Sequence, residues 1–484
     1  MLTRFLQNKG SFGSDAAISM AAGVAARAIT LASLPFIAHF YAPTELGLWT
    51  IILSLTQYFS PFATLRYDIA VVIAPTERMS RSLTMALLRW LLVVALLLAA
   101  FVFLASAEVW AVISGLGASE QGVLRLTPVL LVLLGAQLTL QSYLTRRRKF
   151  LALGLAQILQ AVTTPVAQLG LLWSLPASGW TAAEGALLGF IVAVAIMAAS
   201  AGPELSSRGN RGWAQVARQT ARRYKAYPLY MLPYSLSSGL SERILQVSLI
   251  NFYSLGTLGA FTLARQIVNA PAVLMSSSLR QVMFGHSAAQ TDPEARRART
   301  LAVLRLMIDV SAPATGFALI WLPSVLLYAM PSAWSEMTSY AWWCLFPTSM
   351  LFLCSWLDRM FDVLGKPRLG VTLQIVSDIA VVAVVLIGGR LGLEASRLIS
   401  CVTMTQTAYY VIWLTILLRQ LDVRWTSIMT IAARLAAELV VWTVVHSMVI
   451  RKFSIQAGFL VSVALLVATI ATVSIRLLRH RSQS

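Results

Sequence analysis

The sequence is poor in the residues from which catalytic and metal sites are built. Of its 484 residues, three are cysteine and four are histidine. Cys344, Cys354 and Cys401 lie in apolar runs without a C-x-x-C pair, which supports neither a disulfide framework nor a zinc knuckle. His39, His286, His446 and His480 are far apart and no H-E-x-x-H occurs, so no metal site is expected. P-loop, G-x-S-x-G and dinucleotide-binding glycine patterns are also missing. An ATP-driven pump would need a nucleotide-binding segment, and no cofactor is expected here. Charge is scarce as well, at 12% of residues against about 25% in soluble domains.

What is abundant is apolar surface. Hydrophobic residues make up 58% of the chain and the mean hydropathy is +0.74. A soluble protein could not cover such a composition with polar surface. The 38 Lys and Arg against 19 Asp and Glu leave a net charge of +19. In a soluble chain that excess would suggest nucleic acid. Beside this hydropathy it indicates basic loops on one side of a bilayer, and no nucleic-acid partner is expected.

A bilayer core of about 30 Å takes about 20 apolar helical residues per span. Fourteen runs qualify: 16–40, 47–74, 83–106, 126–144, 151–173, 183–201, 228–252, 259–283, 301–327, 339–361, 369–389, 395–418, 431–450 and 455–477. The first is too long for a signal-peptide core and reads as an uncleaved span. The longest intervening stretch is 202–227, which leaves no room for a grafted catalytic domain, and no catalytic residue is expected. With both termini in the cytoplasm, 25 basic residues fall inside, five outside and eight within spans. That bias follows the positive-inside rule at nearly every loop.

The chain also repeats itself. Phe40-Tyr41 through Leu46-Gly47-Leu48-Trp49-Thr50 aligns with Phe252-Tyr253 through Leu258-Gly259-Ala260-Phe261-Thr262 at an offset of 212 residues. Leu153-Gly154 and Gln157-Ile158 similarly match Leu369-Gly370 and Gln374-Ile375. Spans 1–6 and 7–12 then form two halves of the same orientation, a parallel repeat. The domains expected are residues 1–225, 226–425 and, for two additional spans and a tail, 426–484.

This pattern of six, six and two spans resembles the MOP superfamily. Within it the chain is most similar to the Wzx-type polysaccharide flippases. The likeness rests on Tyr41 to Trp49, Leu65-Arg66-Tyr67-Asp68-Ile69-Ala70-Val71-Val72, Gly256 to Ala264 and Arg265-Gln266-Ile267-Val268-Asn269-Ala270-Pro271. The resemblance implies an all-α, multi-pass protein of the bacterial cytoplasmic (inner) membrane, its two six-helix halves arranged as a V. It implies a non-enzymatic function by alternating access, in which an undecaprenyl-diphosphate-linked oligosaccharide repeat unit moves from the cytoplasmic to the periplasmic leaflet for O-antigen or exopolysaccharide synthesis. A polysaccharide polymerase and a chain-length regulator are the implied partners. The lipid II flippase and the MATE-type cation or drug antiporters of the same superfamily are the alternatives. An antiporter needs cavity carboxylates, whereas deep basic residues dominate this sequence.

The basic residues within spans are all arginine: Arg27, Arg66, Arg89, Arg243, Arg265, Arg280, Arg305 and Arg434. Each would cost about 2.5–3.5 kcal/mol if it faced lipid at mid-bilayer. Arginine stays charged and its fork suits bidentate phosphate binding, so a diphosphate site is expected to draw on these residues. Arg27 and Arg243 lie mid-span in the first helix of each half, Arg27 among small residues. Arg265 matches a span-8 arginine that the resemblance assigns to substrate. Arg66 is either deep in span 2 or, if Pro61 breaks the span, interfacial and paired with Asp68. Arg27, Arg66, Arg243 and Arg265 are therefore the candidate contacts for the anionic head group. Asp378, mid-span in 11, is a candidate counter-ion or ion site, or a hydrogen-bonded helix contact. Arg89 can snorkel to the interface. Arg305 with Asp309 and Arg434 with Glu438 read as i,i+4 pairs. Gly185-x-x-x-Gly189 reads as an intramolecular packing motif.

Overall fold

The computed structural model describes residues 12–117, 120–205, 212–225, 227–289, 292–357 and 360–482, and among them there is no strand. The side chain of Arg280 lies outside the described residues. The chain divides into two compact units, Met1–Thr262 and Leu263–Ser484. The first holds α1 (Phe12–Phe40), α2 (Pro43–Thr64), α3 (Tyr67–Ile73), α4 (Glu77–Leu104), α5 (Ala107–Ser114), α6 (Thr127–Arg146), α7 (Phe150–Leu171), α8 (Gly179–Leu205), α9 (Trp213–Arg223), α10 (Leu232–Phe252) and the start of α11 (Leu255–Ala289). The second holds the rest of α11, then α12 (Pro293–Ala329), α13 (Ser335–Cys354), α14 (Met360–Val363), α15 (Pro367–Arg390), α16 (Ala395–Gln420), α17 (Trp425–Lys452) and α18 (Ile455–Ser482).

Only helices let a lone segment satisfy its own backbone groups in lipid, and local signals set where they start. The Thr76 hydroxyl accepts from the Met79 amide and caps α4. The Asp292 carboxylate accepts from the Glu294 and Ala295 amides and caps α12, which opens on Pro293. Among the described residues, eleven helices are long and apolar enough to cross a membrane. The other three expected spans, 47–74, 228–252 and 259–283, coincide with α2–α3, α10 and α11. They carry Arg66, Arg243 and Arg265 together with serines and other polar residues.

Lipid tails are as apolar as leucine, so close packing rather than apolar burial holds such helices together. In the first unit α7 lies along α8 over most of its length. A Cβ on Gly185 would strike the Gln168 backbone, and one on Gly189 would strike the Thr164 hydroxyl. The small-residue motif therefore brings two helices of this chain together, as expected. α6 sits centrally against α2, α4 and α8, with Leu83, Leu87, Leu140, Tyr143 and Met197 in its core. In the second unit α12 packs on α13 and α17, and α13 on α16. Leu304, Ile308, Leu357, Trp413 and Leu417 form the buried centre there.

The repeat has a physical counterpart. Gly47 and Gly259 are equivalent positions, as are Pro43 and Leu255. A Cβ on Gly47 would overlap the Leu255 carbonyl, and a Cβ on Gly259 would overlap the Pro43 carbonyl. Thr44 and Gly256, equivalents too, face each other, the Thr44 methyl lying 3.4 Å from where a Gly256 Cβ would stand. The contact is reciprocal, as a two-fold relation between the starts of α2 and α11 requires. Replacing either glycine by alanine forces these helices apart. Gly47→Ala and Gly259→Ala should each cost about 1–3 kcal/mol and lower the apparent Tm in detergent by similar amounts. Gly23→Ala, inside α1 at a position with nothing within 4 Å, should hold or raise Tm, since alanine favours a helix interior by about 0.5–1 kcal/mol.

Candidate functional site

Arg66 is placed by a break in the backbone. Pro61 does not end α2, which continues to Thr64. Leu65 (φ 48°) and Arg66 (φ 56°) are then both left-handed, and α3 begins at Tyr67. For non-glycine residues this conformation costs roughly 1–2 kcal/mol each, and two in succession are held only where the surroundings enforce them. The span is therefore interrupted, as one of the two readings expected, but four residues beyond the proline. The partner also differs. Arg66 Nε donates to Ser235 Oγ of α10 at 2.8 Å, and the Ser235 hydroxyl donates in turn to the Met231 carbonyl at 2.7 Å. Asp68 instead accepts from the Thr64 hydroxyl at 3.0 Å. Among the described residues no ion pair joins Arg66 to Asp68.

Arg243 is 8% exposed, and its fork is occupied. Nη1 donates to Ser54 Oγ of α2 at 2.8 Å and to Gln246 Oε1 at 3.3 Å. Nη2 donates to the Ile113 carbonyl of α5 at 3.0 Å. One guanidinium thus fastens α10 to α2 and to the short helix α5. The buried Nε has no partner. Arg66 and Arg243 both engage α10, eight residues apart. Arg27 is exposed on α1. Leu34, seven residues on and therefore on the same helix face, is buried, so this face is covered at Leu34 and open at Arg27.

In the second unit Arg265 is half-buried on α11, close enough to Cys344 and Tyr410 to act on both electrostatically. One turn further, Asn269 accepts a hydrogen bond from the Thr348 hydroxyl of α13. Asp378 is half-buried on α15. It accepts from Gln374 Nε2 at 3.0 Å, and Gln374 Oε1 accepts from the Tyr409 hydroxyl of α16 at 2.8 Å. The carboxylate therefore belongs to a polar relay between two helices. No group of three or more metal-ligating side chains occurs among the described residues.

Other charged side chains form contacts that local spacing does not reveal. Arg89 does not simply reach for water; its guanidinium lies 3.9 Å over the Trp213 ring. Asp309 pairs with Arg434 of α17, while Arg434 Nε also donates to Glu438 at 2.7 Å. The i,i+4 expectation holds for Arg434 and Glu438. It fails for Arg305, which is exposed on α12 and makes no ion pair with Asp309 among the described residues. The reason is geometric: Asp309 faces α17, where a cation from another helix reaches it. Glu204 gathers Arg147 at 2.8 Å and Lys149 at 2.7 Å, and accepts from Tyr143 at 3.0 Å, while Arg147 also pairs with Glu77. The hydrogen bond to Glu204 pushes the Arg147 pKa above the usual arginine value. The basic run 146–149, read from sequence as topological, thus also ties the ends of α6 and α8 to the start of α4.

The profile of a family described as polysaccharide biosynthesis protein matches residues 38–339. The chain belongs to that family. Comparison with curated proteins returns no match. Among solved structures, the lipid II flippase MurJ in an inward closed conformation is similar at TM-score 0.74 and 12% identity, over 96% of this chain and 99% of that one. An inward-facing multidrug resistance MATE transporter of the MOP superfamily is similar at TM-score 0.61 and 12% identity, over 87% and 95%. A MOP superfamily transporter from Pyrococcus furiosus follows at TM-score 0.55 and 13% identity, over 85% and 95%. At these identities the likeness is one of fold: this family member has the multi-pass helical fold that these transporters share.

The triad on α12 and α17 gives a test of packing. Arg434→Gln removes the cation that Asp309 and Glu438 share and should cost about 1–3 kcal/mol. The apparent Tm should fall clearly. Neutralising all three, with Asp309→Asn, Arg434→Gln and Glu438→Gln together, should recover most of the loss.

Proposed function

We propose that this protein is a flippase. It carries an undecaprenyl-diphosphate-linked oligosaccharide repeat unit from the cytoplasmic to the periplasmic leaflet of the bacterial inner membrane. The product feeds O-antigen or exopolysaccharide assembly, with a polymerase and a chain-length regulator downstream. Both termini lie in the cytoplasm, and residues 1–225 and 226–425 are the two halves that rock against each other, with 426–484 appended.

The observation that carries this reading is the strained presentation of Arg66. Two successive left-handed non-glycine residues inside a span are held at a cost, and such strain clusters at functional sites. Among the described residues the Arg66 guanidinium donates to a neutral serine, which leaves capacity for an anion. Arg27 and Arg265 supply further positive charge for the diphosphate, and the prenyl tail stays in lipid. Arg243 joins when α10 releases α2 and α5, exchanging a hydroxyl and a carbonyl for phosphate oxygens. Asp378 is a counter-ion or coupling-ion site that the Tyr409–Gln374 relay orients. An antiporter of organic cations would need the opposite sign of charge on these helices.

The test is translocation of a labelled prenyl-diphosphate oligosaccharide in vesicles reconstituted with the full chain. Arg27→Ala, Arg66→Ala and Arg265→Ala should each lower the rate at least about tenfold, the scale of one lost charge-assisted contact. Arg66→Lys should rescue only part, because it keeps charge but not the fork. Wild-type rates in all three alanine variants, or uptake of a cationic dye in place of the anionic lipid, would overturn the proposal.

A further inference from the structure

We propose that α9 is a docking face for anionic phospholipid of the cytoplasmic leaflet. One side of this eleven-residue helix is occupied by the protein. Ala217 and Thr220 are buried and α9 packs on α4. Arg89 of α4 stacks on Trp213 at 3.9 Å, and the Tyr67 hydroxyl donates to the Ala221 carbonyl at 3.1 Å. The opposite side presents Arg218, Arg222, Arg223 and, just past the helix, Lys225, all exposed. They extend over about 11 Å at the helical rise.

The sequence contains no acid between Glu204 and Glu242. Among the described residues, no carboxylate pairs with any of the four cations. Glu204 itself is taken by Arg147 and Lys149.

The chain after α9 tells a phosphate in a lipid surface from a phosphate on a nucleic acid. Tyr224 and Tyr227 pack at 6.1 Å, and Leu229, Tyr230 and Met231 are exposed. Cations, then aromatic rings, then bare apolar side chains follow the polarity of a membrane from headgroup to acyl chain. A soluble polyanion would leave the last three in water. Basic clusters on an interfacial helix attract anionic lipid within a Debye length. This inference does not require the chain to be a flippase, since retention of lipid is read without transport.

The experiment is native mass spectrometry of the full chain in detergent, offered equal amounts of phosphatidylglycerol and phosphatidylcholine. The wild type should retain phosphatidylglycerol preferentially, and raised salt should erase the preference. Arg218→Gln, Arg222→Gln, Arg223→Gln and Lys225→Gln combined should weaken phosphatidylglycerol binding at least about tenfold. A control, Arg390→Gln, Arg397→Gln, Arg451→Gln and Lys452→Gln combined, removes equal charge elsewhere and should retain the preference. Equal retention of the two lipids by the wild type, unchanged preference in the α9 variant, or the same loss in both variants would overturn the proposal. If the combined variant does not fold, Arg218→Gln with Arg222→Gln, and Arg223→Gln with Lys225→Gln, are compared instead, and an unchanged preference in both pairs would overturn the proposal.

Discussion

A guanidinium in a bilayer must find polar partners or reach the interface, because it neither loses its charge nor tolerates hydrocarbon. Much of this structure is arranged around that demand. Arg243 meets it with a hydroxyl, an amide oxygen and a main-chain carbonyl from three helices. Arg434 meets it with two carboxylates. Arg89 meets it with an aromatic face at the edge of the membrane. Arg66 is met by bending the backbone itself, and the strain of Leu65 and Arg66 places one nitrogen on Ser235. In each case a residue that hydropathy counts as a defect is where helices are joined.

The opposite extreme, glycine, joins helices by leaving room. Gly47 and Gly259 let α2 and α11 approach until each helix rests on the other's first carbonyl. The contact needs no charge and no side-chain ordering, so it costs little entropy to make. Arginine and glycine contacts thus act on the same helices by different means. The glycines set how near α2 and α11 can come, and the hydrogen bonds of Arg243 and Arg66 set how α10 lies on α2.

Span positions, the repeat and the small-residue motif of α8 were legible in the sequence because they depend on periodicity and spacing. The arginines Arg66, Arg243 and Arg265 were legible too, but the partners of Arg66 and Arg243 were not. A hydropathy window treats Ser54, Ser235 and Gln246 as dilution, whereas they are the acceptors that make two arginines tolerable. Local spacing paired Arg305 with Asp309 because i and i+4 share a face. It could not foresee that Arg434, 125 residues away, would arrive from another helix. The break was one of two readings, but its position after Thr64 was not foreseen, for a related reason. Pro61 is the visible breaker, but neither Leu65 nor Arg66 advertises a left-handed conformation.

The boundary drawn by packing falls at Thr262, after α10, although the sequence repeat begins anew before it. This has a consequence for biosynthesis. A ribosome that has released only the first six spans has released a bundle still lacking the helix that answers Arg66 and Ser54. Until α10 enters the membrane, the guanidinium of Arg66 has no Ser235 and the hydroxyl of Ser54 has no Arg243. The first unit is therefore completed by the opening helix of the second repeat, and the order of synthesis obliges the early helices to wait with their polar groups open.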